Sequence, residues 1–115
     1  MEVDEVLYRL GILSKSSGYK LVLHAVNLLL LCENWTPSLK ELQREVAKVH
    51  ACTYETFKQN IGRVIQDTWD DEGRRAYLNE IAFIAPGSKP TVRQFIDIVY
   101  NYVARSRESQ PGGEA

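Results

Sequence analysis

The sequence predicts an all-α fold, a compact six-helix domain that contains a helix-turn-helix. Three observations carry this. Apolar residues recur at helical spacing in six separate segments, and no segment alternates convincingly as a strand would. Two segments open on a Ser or Thr followed three residues later by Glu or Gln, the mark of a capped helix start. The 115 residues, 44% hydrophobic and 25% charged, suffice for one buried core and are too apolar for a disordered chain.

Val3, Val6, Leu7 and Leu10 give a first helix over 3–10, with Gly11 as its stop. Residues 14–18 form a loop. A second helix over 19–33 carries Leu21, Val22, Ala25, Val26, Leu28, Leu29 and Cys32, a stripe broad enough for the central helix of the core. Trp35-Thr36-Pro37 breaks the chain. Ser38-Leu39-Lys40-Glu41 is a capping box, and the third helix runs to about His50, burying Leu39, Leu42, Val46 and Val49. After a turn at 50–52, Thr53 caps a fourth helix that reaches Trp69 on a narrow stripe of Phe57, Ile61, Val64, Ile65 and Thr68. Gly73 and the acids before it mark a turn, and 74–83 is a shorter fifth helix. Residues 86–90 are a loop. Thr91-Val92-Arg93-Gln94 then opens a last helix built on Val92, Phe95, Ile96, Val99, Tyr102 and Val103. Tyr100 is expected to be exposed and is a candidate for protein contacts. The domain spans 1–105, and 106–115, with nothing to bury, is expected to be a disordered tail.

Composition excludes several classes. The opening Met1-Glu2-Val3-Asp4-Glu5 has no basic stretch or cleavage site, so the chain reads as cytoplasmic. The longest nearly apolar run, Leu21 to Cys32, is far below the roughly 20 residues a membrane helix needs. Cys32 and Cys52 make no disulfide framework and are expected to be free, buried thiols. His24, Cys32, His50 and Cys52 are the soft metal ligands, and their spacing matches no zinc module. No phosphate-binding glycine loop or nucleophile motif appears, so neither an enzymatic activity nor a cofactor is expected. The net charge is −1 and the pI near 6.1, an unusual balance for a nucleic-acid binder. Its distribution is uneven: Arg74, Arg75, Lys89, Arg93, Arg105 and Arg107 face only Glu80 and Asp97 over that stretch.

The functional signal lies in 38–69. Two helices joined by a short turn let the second project from the body, and Ala47 and Ala51 would allow close packing at the joint. Opposite Phe57, Ile61 and Ile65 the fourth helix carries Thr56, Gln59, Gly62, Arg63 and Gln66. Gln pairs with adenine, Arg with guanine, and Thr meets a thymine methyl or a phosphate. Gly62 leaves room for close approach. Lys48 and Lys58, with Lys40 and Arg44, could neutralise phosphates, and the free amides near Thr53 offer another phosphate contact. Glu55 would accept from cytosine N4 or else repel the backbone. Any pair of consecutive amphipathic helices gives a similar pattern, with a merely solvated outer face.

Leu10-Gly11-Ile12, Gly18-Tyr19-Lys20, Glu45-Val46-Ala47-Lys48, Ile61-Gly62-Arg63-Val64-Ile65, Trp69, Lys89-Pro90-Thr91 and Gln94-Phe95-Ile96 occur in an order and spacing that add a second argument. Over about 6–104 the chain resembles the C-terminal effector domain of the stage-zero sporulation response regulator of spore-forming Firmicutes. The resemblance implies six helices, with the third and fourth as the helix-turn-helix and 53–69 as the helix that enters the major groove. It also implies that copies associate head to tail on tandem sites. Where that family reads bases with Arg, Glu and Arg, this chain has Thr56, Lys58 and Gln59, which implies a different target or lost DNA binding. No receiver domain precedes the module, so the chain reads as an excised domain or as a protein standing alone.

Two functions follow as expectations. In the first, the chain is a sequence-specific transcription regulator of double-stranded DNA, acting through Lys48, Thr53, Glu55, Thr56, Lys58, Gln59, Gly62 and Arg63, as a homodimer or in tandem, with RNA polymerase or a full-length regulator as a further contact. In the second, the same fold has lost DNA and modulates a full-length regulator by direct association.

Overall fold

Six helices run through residues 2–108, which this computed structural model describes: α1 (Val3–Arg9), α2 (Ser17–Leu31), α3 (Leu39–Ala47), α4 (Tyr54–Asp70), α5 (Glu72–Ile81) and α6 (Val92–Glu108). No strand occurs among the described residues. The centre is α2, which packs against α1, α3, α4 and α6. Its Val22, Ala25 and Val26 are fully buried with Phe57 and Ile61 of α4 and Phe95, Ile96 and Val99 of α6. Each large apolar side chain so buried contributes about 1.5–3 kcal/mol, which is why the broad stripe of α2 takes the middle position.

Local chemistry sets the helix ends. The Gly11 amide donates to the Tyr8 carbonyl (2.9 Å) and the Ile12 amide to that of Leu7 (3.0 Å), closing α1 in a Schellman turn. That turn needs a left-handed residue, and Gly11 supplies it at φ 78°. Ser16 accepts from the Tyr19 amide and starts α2 two residues before the expected position. Both capping boxes form: Ser38 and Glu41 exchange bonds of 3.1 and 3.0 Å, and Thr91 and Gln94 bonds of 2.9 and 3.1 Å. The backbone bond from Ser38 holds the Glu41 carboxyl below its ordinary pKa.

Several expectations are corrected. The third helix stops at Ala47, because the Val49 and His50 amides both turn back to the Val46 carbonyl. Val49, expected in the core, is 68% exposed. Gly73 lies inside α5, whose start is Glu72: the Asp71 carboxylate accepts from the Arg74 amide and caps the helix. Asp71 thus ends α4 and begins α5, leaving no loop between them. With α5 closing at Ile81, Phe83 falls beyond it and is exposed. Because α2 closes at Leu31, Cys32 is exposed as well, and Cys52 is half-buried. Tyr100, expected to be exposed, is half-buried against the core, as is Tyr102. The last helix continues to Glu108, past the expected boundary at 105, where Arg107 pairs with Glu2 at 3.1 Å. The rest of the expected tail, 109–115, lies outside the described residues. No described helix is long and apolar enough to cross a membrane.

One contact beside the α3–α4 turn is titratable. His24 of α2 and His50 of the turn meet edge to face with ring centroids 5.2 Å apart, and the buried His24 Nδ1 has no hydrogen-bond partner. Burial, then the neighbouring His50, holds the His24 pKa below the ordinary 6.5. Below pH 6.5 the unfolded chain therefore binds a proton that the folded one resists, so this contribution to stability is complete above that pH and is lost as pH falls. The wild-type melting temperature is expected to drop between pH 7.5 and 5.5 by more than that of His24→Phe. Equal drops in the two proteins would refute the assignment.

Candidate nucleic-acid interface

The α4 helix is anchored on one side and open on the other. Phe57, Ile61, Val64, Ile65 and Thr68 are buried, whereas Glu55, Thr56, Gln59, Arg63, Asp67 and Asp70 are exposed. The difference follows from the 3.6-residue period that puts the apolar stripe against α2, α5 and α6. Leading into α4 are residues 48–53, a longer turn than the expected 50–52 because α3 ends early.

A residue that the motif reasoning missed holds this turn. Gln43 is buried in α3, and its Nε2 donates to the Cys52 carbonyl at 2.8 Å. The signal for it was a glutamine inside the stripe of Leu39, Leu42 and Val46, where a buried amide needs a partner. Arg93 plays a similar part from α6, donating to the Pro37 carbonyl at 2.7 Å just ahead of α3 and pairing with Asp97. Ala47 is half-buried at the joint, but Ala51 is exposed and does not pack there.

The expected site residues fall into three groups. At the start of α4, Thr53 accepts from the Thr56 amide (3.1 Å) and donates to the Thr56 hydroxyl (3.0 Å), so both threonines serve the cap. Lys58 and Lys48 are engaged within their own segments. Lys58 pairs with Glu55 at 3.4 Å and lies 4.6 Å from the centre of the Tyr54 ring, which also meets Lys40 at 5.7 Å. Lys48 pairs with Glu45 at 3.0 Å. The third group is open: Gln59 and Arg63 are exposed with no ion pair or side-chain hydrogen bond to any described residue, and a Cβ on Gly62 would meet nothing within 4 Å.

Gln66 behaves differently from expectation. Its Nε2 donates to Asp70 at 2.7 Å and its Oε1 accepts from Lys89 of the α5–α6 connection. Lys89 thereby places a cation against α4 from 23 residues away. Asp67 and Asp70 make the C-terminal half of the exposed face acidic, while Arg63 and the lysines around Tyr54 favour the N-terminal half for an anion. Among the described residues no three His, Cys, Asp or Glu side chains gather to hold a metal ion.

A short helix, a turn and a capped second helix with an uncovered polar face, mounted on a four-helix body, define an all-α domain of the helix-turn-helix class. The chain matches the family described as "Sporulation initiation factor Spo0A C terminal" over residues 3–103. It belongs to that family, whose members are DNA-binding effector domains of sporulation regulators. Comparison with curated proteins and with solved structures gives no match.

Proposed function

We propose that the chain is a sequence-specific transcription regulator that lays the first half of α4 in the major groove of double-stranded DNA. The observation that carries this is the exposed surface of Gln59 and Arg63, free of ion pairs and side-chain hydrogen bonds to any described residue, with open space over Gly62 between them. Gln59 and Arg63 read base edges, and Thr56 and Lys58 approach them. Lys48 and the two unbonded amides at the start of α4, beside Thr53, hold phosphates. Glu55 either accepts from a cytosine amino group or is turned aside by its pairing with Lys58. The acidic C-terminal half stays out of the groove. Tandem association on DNA and contact with RNA polymerase belong to the same reading and rest on family membership alone.

Selection from random-sequence DNA at low salt, with the full chain, tests this reading. An enriched sequence is expected, and Arg63→Ala is expected to weaken binding to it by about ten- to a hundredfold, the usual value of one bidentate contact to guanine. The charges of Asp67 and Asp70 favour a second reading, in which the fold modulates a full-length regulator without DNA. No enriched sequence, together with recovery of a regulator from the native host, would replace the first reading with the second.

A further inference from the structure

A cleft of about 370 Å³ opens beside α4, between the α1–α2 connection and the start of α5. Ser17 and Gly18 of α2, Asn60, Arg63 and Asp67 of α4, and Arg74 of α5 line it. The two arginines differ in setting. Arg63 is exposed at the rim, and Arg74 is half-buried against the backbone at Gly11, where a Cβ would lie 2.1 Å from its Nε. Only a glycine leaves that space, so the Schellman turn that ends α1 also seats the Arg74 guanidinium. Neither arginine side chain has an ion pair or hydrogen bond among the described residues. A guanidinium held in place without a carboxylate has its donors available for an outside oxyanion. Asp67, exposed, is the one carboxylate lining the cleft, so the two arginines leave it positive. The Ser17 and Gly18 amides add donors, since the first turn of a helix offers them no internal acceptor. The Ser16 hydroxyl is already used, by the Leu13 carbonyl and the Tyr19 amide.

We infer that this cleft takes a phosphate group, and that the group is a backbone phosphate of the DNA whose bases α4 reads. The inference rests on the proposed function for the source of the phosphate, while the cleft's affinity for phosphate stands apart from it. Arg63 connects the two, because it belongs both to the exposed face of α4 and to the cleft. Phosphates border any groove that a helix enters, so one of them meets Arg74 when α4 is seated, and this contact fixes the register of α4 on the duplex.

The test uses the full chain with Arg74→Gln, Arg74→Lys and Ser17→Glu, each checked for folding by thermal melting. Arg74→Gln is expected to weaken binding to the selected site and to unrelated DNA by the same factor. It should also reduce the log–log salt slope by about 0.9, equivalent to a loss of about 3.5-fold in salt sensitivity between 50 and 200 mM. Arg74→Lys should restore the slope. Ser17→Glu places a carboxylate at the first position of α2, where it favours the helix, so it should keep or raise the melting temperature while weakening binding to both DNAs. This variant decides the matter if Arg74→Gln fails to fold. In parallel, inorganic phosphate titrated into ¹⁵N-labelled protein should shift the Ser17 and Gly18 amide signals saturably, and much less in Arg74→Gln. A chain that binds no DNA yet shows this response keeps the cleft as a phosphate site and assigns it to a free ligand, while the reading of α4 fails. DNA binding with an unchanged slope and no Ser17→Glu effect overturns the inference, as does the absence of any response to phosphate in a chain that binds no DNA.

Discussion

Gly18→Ala is expected to destabilise the domain by about 2 kcal/mol, lowering its melting temperature by roughly 10 °C. Gly18 is buried where α2 crosses α4, and a Cβ there would stand 2.3 Å from Val64 Cγ2 and 2.7 Å from the Asn60 carbonyl oxygen. Val64 could change rotamer, but the Asn60 carbonyl is backbone in the middle of α4 and can retreat only if the helix shifts. Overpacking of this kind costs about 1–3 kcal/mol, and because Gly18 lies in the first turn of α2 the better helix propensity of alanine offsets little of it. Urea denaturation would read the change as a lower midpoint at constant slope. Unchanged or higher stability would mean that α2 and α4 do not cross so closely at this point.

Gly62→Glu is expected to separate stability from DNA binding. Nothing lies within 4 Å of a Cβ at Gly62, and replacing a glycine inside a helix adds up to about 1 kcal/mol, so the variant should melt no lower than wild type. Its carboxylate, however, would sit between Gln59 and Arg63 on the face proposed to enter the groove, and binding should fall more than tenfold. Gly62→Ala serves as the milder control, with a smaller loss from the methyl group alone. Unimpaired binding by the glutamate variant would show that this side of α4 does not meet DNA. Two glycines of one chain thus have opposite expected effects: the first allows α2 to touch α4, and the second leaves α4 clear on its outer side.

Much of the scaffold was legible because its determinants are local. Ser38 with Glu41, Thr53 and Thr91 with Gln94 each act over three residues, and all form the expected caps. The stripes of α2, α4 and α6 also declare themselves, since long helices repeat their apolar spacing several times. Short-range signals failed where the next turn of the chain decided the outcome. Val49 continues the spacing of α3, but the helix closes at Ala47 and turns Val49 to solvent. Gly73 suggested a break, yet it occupies the first turn of α5, where a residue gives up little by lacking an interior position, and Asp71 caps the start. The functional face was legible only as a set of exposed positions. Which of those positions stay free depends on contacts far apart in sequence, such as Lys89 on Gln66, or on the exact direction of Lys58 over Tyr54. Arg74 was legible only as one base of an uneven charge distribution for the same reason, as its place is set by Gly11, 63 residues earlier.

Asp71 closes one helix and opens the next with no residue to spare. A joint of that kind has no slack, so α4 cannot roll or tilt without carrying Arg74 along. The spacing between the two is consequently a fixed gauge, and if both meet DNA as proposed, a duplex whose local twist or groove width departs from it would have to deform to fit. Sequence preference would then extend to base pairs that no side chain touches, through the ease with which they yield.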